Sequence, residues 1–278
     1  MHTPYHVKKG QEMSRRHPSM SELFDLTGKV ALVTGGSGYL GTEICEALSE
    51  FGARVVIASR SLDKCEALAE RLGSQHVAMQ LDLTDESAVR GAVNKIFEDM
   101  GSLDILFNNG YSGTGKDLDN VTSDDFRQSY ETGLISYFAA SQQMVDHLRK
   151  IERGGCIINT GSMYGVVASY PEAYVGVEPN SPANYHALKG AVVHLTRHLA
   201  AYYAQYGVRV NCISPGPFPF PSTCEKYPEF IERLELKVPL KRIGQPWEIK
   251  GIALLLASEA GSYITGQNIL VDGGWTAW

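Results

Sequence analysis

The chain is expected to fold as one α/β domain, a doubly wound parallel sheet of about seven strands with helices on both faces. Three observations carry that expectation. Short runs rich in Val and Ile alternate with longer stretches at helical spacing from Leu26 to the C-terminus. No low-complexity linker or internal repeat divides residues 26–278. A glycine-rich turn joins the first apolar run to the first helical stretch.

The strands are read in order as "VALVTG" (30–35), "RVVIAS" (54–59), "VAMQLDL" (77–83), "LDILFNN" (103–109), "CIINTGS" (156–162), "RVNCIS" (209–214) and "NILVDG" (268–273). Near-continuous apolar runs of this kind suit strands buried on both faces. Helices are expected over 40–50, 62–72, 86–100, 123–150, 183–206, 226–237 and 246–258. Ser61 before Leu62, and Thr122 with Asp125 three residues on, supply N-terminal caps. Two segments rich in proline and aromatics, 166–182 and 215–240, break the rhythm. They follow strands, where open α/β sheets bind ligands, and are read as substrate loops. Residues 1–22 are polar, lack an apolar signal core and are expected to be an extension preceding a domain over 23–278.

Composition narrows the function. The net charge of −6 offers no basic field for nucleic acid. No apolar run approaches the length of a membrane span. The five cysteines (Cys45, Cys65, Cys156, Cys212 and Cys224) have neither zinc spacing nor an even count for a disulfide framework. A cytoplasmic protein without a metal is the expectation.

"TGGSGYLG" (34–41) contains G-x-G-x-x-G at Gly36, Gly38 and Gly41. Glycines permit positive φ and close approach to a pyrophosphate, and the helix that follows presents unpaired N–H groups. Gly35, Ser37, Gly38, Tyr39, Leu40 and Gly41 are therefore the candidate cradle for a dinucleotide. At the end of the second strand, Ser59 and Arg60 stand where a carboxylate would select a free ribose 2′-hydroxyl. Arginine there favours a 2′-phosphate, hence NADP, with NAD the alternative. "YHALK" puts Tyr185 and Lys189 on one helical face. A phenol titrates near 10 and is too weak an acid for neutral pH, but a neighbouring ammonium lowers that value and makes the pair a general acid/base.

These pieces occur in order with "LDL" (81–83), "NNG" (108–110), "INTGS" ending at Ser162, "NCISPG" (211–216) and "GQNILVDGG" (266–274). Together they resemble the classical type of the short-chain dehydrogenase/reductase family, across residues 26–278, with likeness to gluconate 5-dehydrogenase-like members acting on sugars and polyols. The resemblance implies a Rossmann-like sheet, a nicotinamide cofactor and a homotetramer or homodimer. It also implies hydride transfer between the cofactor and a secondary alcohol or ketone carbon of a small polar substrate. By position, Tyr185 would transfer the proton, Lys189 would lower its pKa and hold the nicotinamide ribose, and Ser162 would bond the substrate oxygen. Asp82 and the Leu83 amide would meet the adenine, Asn109 and Gly110 would lie beside the cofactor, and Pro215 with Gly216 would border the nicotinamide.

The chain departs from the family pattern in four places. Tyr39 occupies a usual glycine, giving a turn like that of extended members. Tyr130 stands where an asparagine usually helps the proton relay, as a packing residue or as a sign of altered proton transfer. Tyr111 follows "NNG" in place of a glycine, reaching toward substrate or packing against the insert. The interval from Ser162 to Tyr185 is longer than usual. Within that insert, Tyr170, Glu172, Tyr174, Glu178 and Asn180 are candidate hydrogen-bonding groups for substrate, with site shielding or a subunit contact as the alternative role. Lys226, Arg233 and Lys237 of the following loop either meet a substrate carboxylate or form a solvated helix face. A cofactor-binding sensor or scaffold without turnover, and an epimerase or dehydratase reusing the cofactor, are the rival functions.

Overall fold

The structure, a computed structural model, describes residues 17–113, 115–177 and 181–278. Seven parallel strands form one sheet in the order β3-β2-β1-β4-β5-β6-β7. They are β1 (Val30–Thr34), β2 (Arg54–Ser59), β3 (Val77–Gln80), β4 (Ile105–Asn108), β5 (Gly155–Thr160), β6 (Val208–Pro215) and β7 (Asn268–Val271). The order reverses between β1 and β4, and the crevice beyond their carboxyl ends is where such sheets take ligands.

Ten α-helices are seen among the described residues: α1 (Met20–Phe24), α2 (Tyr39–Glu50), α3 (Leu62–Leu72), α4 (Glu86–Met100), α5 (Ser123–Tyr130), α6 (Ser136–Lys150), α7 (Ala183–Tyr203), α8 (Pro221–Lys226), α9 (Pro228–Lys237) and α10 (Lys250–Ala257). Successive strand residues point to opposite faces. Val33, Val55 and Ile57 thus pack with Ile44 and Leu48 of α2 and Ala253 of α10. Leu32, Val56 and Ala58 pack with Val89 and Val93 of α4, Met144 and Leu148 of α6 and Leu199 of α7. Cys156 and Cys212 are buried as free thiols.

α1 starts at Met20 behind a Ser19–Glu22 capping box and straddles the expected start of the domain at residue 23. Three expectations need correction. Ser61 precedes α3 but makes no side-chain capping bond, whereas the Thr122–Asp125 capping box is formed. The helix expected over 226–237 breaks at Tyr227, since proline at 228 disfavours helical backbone in the residue before it and the break leaves two helices, α8 and α9. The helix expected over 123–150 is interrupted by a π-helical turn at Glu131–Ile135. Such insertions accompany functional sites. Here Thr132, inside the turn, donates its hydroxyl to the Ser112 carbonyl at 2.8 Å and ties the turn to the loop after β4.

Candidate active site

The carboxyl ends of β1, β2, β4, β5 and β6 open into a cleft of about 860 Å³. Its floor is the glycine turn. Gly35 has φ +63°, and a Cβ there would lie 2.6 Å from the Gly110 Cα. A Cβ on Gly41 would lie 2.1 Å from the Gly35 carbonyl oxygen, so α2 can begin this close to β1 only with glycine at that position. Gly38 caps α2 without a side-chain bond. The first-turn N–H groups therefore have no side-chain acceptor, at the positive end of a helix dipole. Gly35, Ser37, Gly38, Tyr39 and Leu40 line the cleft; Gly41 shapes the turn from behind.

One end of the cleft is polar. Ser59 and Arg60 line it as expected, joined by Ser61 and by Lys64 of α3. Lys64 is not among the residues expected from the sequence, although its place one turn after Arg60 is a usable signal. Ser37 and Ser59 share a hydroxyl contact of 2.7 Å that fixes the turn to the end of β2. Asp82 and Leu83 form the adjoining wall. The Thr84 backbone N–H and hydroxyl both donate to Asp82, which holds its carboxylate below the ordinary range. Asn109 braces three strand ends: its N–H donates to Thr34 Oγ1 at 3.0 Å, its amide to the Gly35 carbonyl at 3.3 Å, and Thr160 donates to its Oδ1 at 3.2 Å. Gly110 and Gly216 complete the wall; a Cβ on Gly216 would lie 2.5 Å from the Asp272 Cα.

Ser162, Tyr185 and Lys189 meet at the other end, beside Pro215. The Tyr164 N–H donates to Ser162 Oγ at 3.1 Å, which leaves the Ser162 hydrogen to bond the Tyr185 oxygen. Lys189 is 2 % exposed and donates to the Thr160 carbonyl at 2.7 Å. Burial pulls the Lys189 ammonium down to about 8. Burial pushes Tyr185 up to about 12, opposed chiefly by the Ser162 hydrogen bond. The Lys189 ammonium lies 5.6 Å from the Tyr185 ring centroid.

On the substrate side, the candidate groups of the insert and the following loop have partners within the protein. Tyr174 and Tyr164 bond hydroxyl to hydroxyl, Tyr170 packs on Trp275, and Glu172 pairs with Lys237 at 2.8 Å. Arg233 donates to the carbonyls of Ala173 and Val175. Lys226 stands over the Tyr227 ring. None of these side chains lines the cleft: Glu172 pairs with Lys237 and Arg233 holds the insert backbone, while the buried aromatics Tyr164, Phe230 and Trp275 pack the insert against the lid, the loop over 215–240. Glu178 and Asn180 lie outside the described residues. The lid instead contributes Phe218 and Phe220 to the cleft, Phe220 packing on Tyr39 with centroids 5.1 Å apart. Tyr130 takes the packing role, half-buried against the cluster of Tyr137, Leu188 and Val192.

Comparison with known proteins agrees with this geometry. The family model described as enoyl-(acyl carrier protein) reductase matches residues 37–276. A sorbose reductase of Candida albicans is 36% identical over 260 residues, 92% of this chain and 89% of the relative. The galactitol 2-dehydrogenase (L-tagatose-forming) of Cereibacter sphaeroides is 36% identical over 262 residues, 92% of this chain and 98% of the relative. The crystal structure of a gluconate 5-dehydrogenase from Burkholderia cenocepacia J2315, in complex with NADP and tartrate, superposes with a TM-score of 0.83 at 31% identity, covering 93% of this chain and 99% of that one. With a seven-stranded parallel sheet, the glycine turn at its switch point and the Ser162, Tyr185 and Lys189 cluster in one cleft, the chain belongs to the short-chain dehydrogenase/reductase family of NAD(P)-dependent oxidoreductases.

Proposed function

We propose that the protein is an NADP(H)-dependent oxidoreductase that interconverts a secondary alcohol and a ketone on a small polar substrate of the sugar, sugar-acid or polyol type. The carrying observation is the joint placement of Ser162, Tyr185 and Lys189 at one end of a cleft whose other end holds Arg60 and Lys64. The cleft fits a nicotinamide dinucleotide: the turn is built on glycines that a Cβ would overfill, and α2 presents uncapped N–H groups to its floor. Those N–H groups would hold the pyrophosphate. Arg60, with Ser59, Ser61 and Lys64, would hold a 2′-phosphate, and two cations with no carboxylate at the end of β2 support NADP over NAD. When bound, the cofactor supplies a hydride donor or acceptor.

The protein's own groups handle the oxygen. In reduction, the Tyr185 phenol gives its proton to the carbonyl oxygen as the alcohol forms; in oxidation, the phenolate takes it back. Ser162 donates to that oxygen and steadies the developing charge. The Lys189 ammonium, buried beside the Tyr185 ring, favours the phenolate as it appears. Relatives named for sorbose and galactitol, and a neighbour solved with NADP and tartrate, support a polyhydroxylated substrate. The test is the change in absorbance at 340 nm with NADPH and NADH across ketoses, keto-acids and a 3-oxoacyl thioester. Turnover of ketoses or keto-acids with NADPH preferred is expected. Turnover of the thioester alone would remove the sugar assignment, and NADH preference would remove the cofactor assignment.

A further inference from the structure

Tyr111 lies at the active end of the cleft and has no part in the reading above. It follows "NNG" on the loop after β4, lines the cleft, and lies with its ring centroid 5.3 Å from that of Tyr185. The Lys189 ammonium stands 5.5 Å from the Tyr111 centroid, within the range at which an aromatic face attracts a cation. The ring is held from three sides. Its hydroxyl contacts Ser129 Oγ at 3.4 Å, and the Asn184 amide donates to the same Ser129 Oγ at 2.6 Å. Ser129 and Asn184 are both wholly buried, so the residue preceding Tyr185 is coupled to the support of Tyr111. The Thr132 bond to Ser112 pins the loop. Gly133 makes room, since a Cβ there would lie 3.2 Å from Tyr111 Cδ2.

We propose that Tyr111 is a positioning residue for the proton-transfer pair, its ring face standing over Lys189 and holding that ammonium in its charged form inside the protein. The inference deepens the oxidoreductase reading and rests on it for its catalytic consequence. Lys189 needs such support because it is buried and donates to a neutral carbonyl. The titratable groups packed around it are Tyr185 on its own helix, Tyr111 after β4 and Cys212 on β6, with Tyr137 of α6 in the same apolar cluster as Cys212. No carboxylate contributes to Lys189 among the described residues. A π face is therefore the substitute for the missing anion.

The test separates the ring from the hydroxyl. Lysine labelled with ¹³C at Cε, assigned through Lys189→Arg, reports the titration midpoint of Lys189 in the full chain without cofactor. Tyr111→Leu is expected to lower that midpoint by about half a pH unit or more, while Tyr111→Phe leaves it at the wild-type position. The alkaline limb of reductive kcat/KM shifts down with it in the leucine variant and not in the phenylalanine variant. Should Tyr111→Leu fail to fold, Tyr111→Met supplies an apolar side chain without a π face. An unmoved midpoint in the leucine or methionine variant, or an equal shift in Tyr111→Phe, overturns the proposal. If the midpoint moves as stated while no carbonyl compound is turned over, the proposal stands and the oxidoreductase reading falls. Turnover with an unmoved midpoint overturns the proposal and leaves the oxidoreductase reading standing.

Discussion

The two ends of the molecule use their polar groups in opposite ways. At the cofactor end, Arg60, Lys64, Ser61 and the uncapped N–H groups of α2 face the cleft. At the substrate end, polar groups of the insert and lid are bonded within the protein: Glu172 on Lys237, Tyr174 on Tyr164, Arg233 on two carbonyls. Groups left facing a cleft are ready for a ligand, and groups already bonded to each other hold a surface in shape. We read the first region as a binding site and the second as a wall clamped by its own aromatic core.

The contrast can be broken most severely at the turn. Gly41→Ala forces a Cβ against the Gly35 carbonyl; it is expected to destabilise the fold by about 3 kcal/mol and to abolish dinucleotide binding, read by thermal melting and by nucleotide titration. Next in size is Arg60→Ala. Loss of a charge-assisted contact is expected to weaken NADP binding by about tenfold or more, and calorimetry should show NAD binding unchanged. A smaller effect is expected in the wall. Tyr174→Phe leaves the buried Tyr164 hydroxyl without its partner and lowers stability by about 1–3 kcal/mol, yet KM for substrate stays at the wild-type value. A KM that rises with stability intact would make the insert a ligand surface and erase the contrast.

The same contrast explains what is legible in the sequence. The seven strands and their helices are legible because their apolar periodicity is local, and the glycine turn because only glycine meets its steric demands. Ser162, Tyr185 and Lys189 are legible through motif order, and all three arrive at one end of the cleft. Lys226, Arg233 and Lys237 are open to either reading in one dimension, because a sequence displays charges without their partners. Pairing between Glu172 and Lys237, 65 residues apart, depends on how α9 docks on the insert. The π-turn at Glu131–Ile135 has no local signature either. Sequence alone does not decide between substrate and packing for Tyr111; its setting depends on Ser129 and Asn184, which come from two other helices. Burial, which pushes the Tyr185 phenol up, is a property of the whole fold that a motif does not display.

The most direct measurement compares wild type with Tyr185→Phe, following NADPH oxidation at 340 nm with the best ketose or keto-acid while NADPH affinity is measured on both proteins. A fall in kcat of about 10²-fold or more with affinity retained is the expected result, since the substitution removes the proton donor and little else. Equal turnover in the two proteins would contradict the assignment of Tyr185 as the acid/base, and tight NADPH binding without turnover of any compound by the wild type would make the protein a cofactor-binding sensor or scaffold.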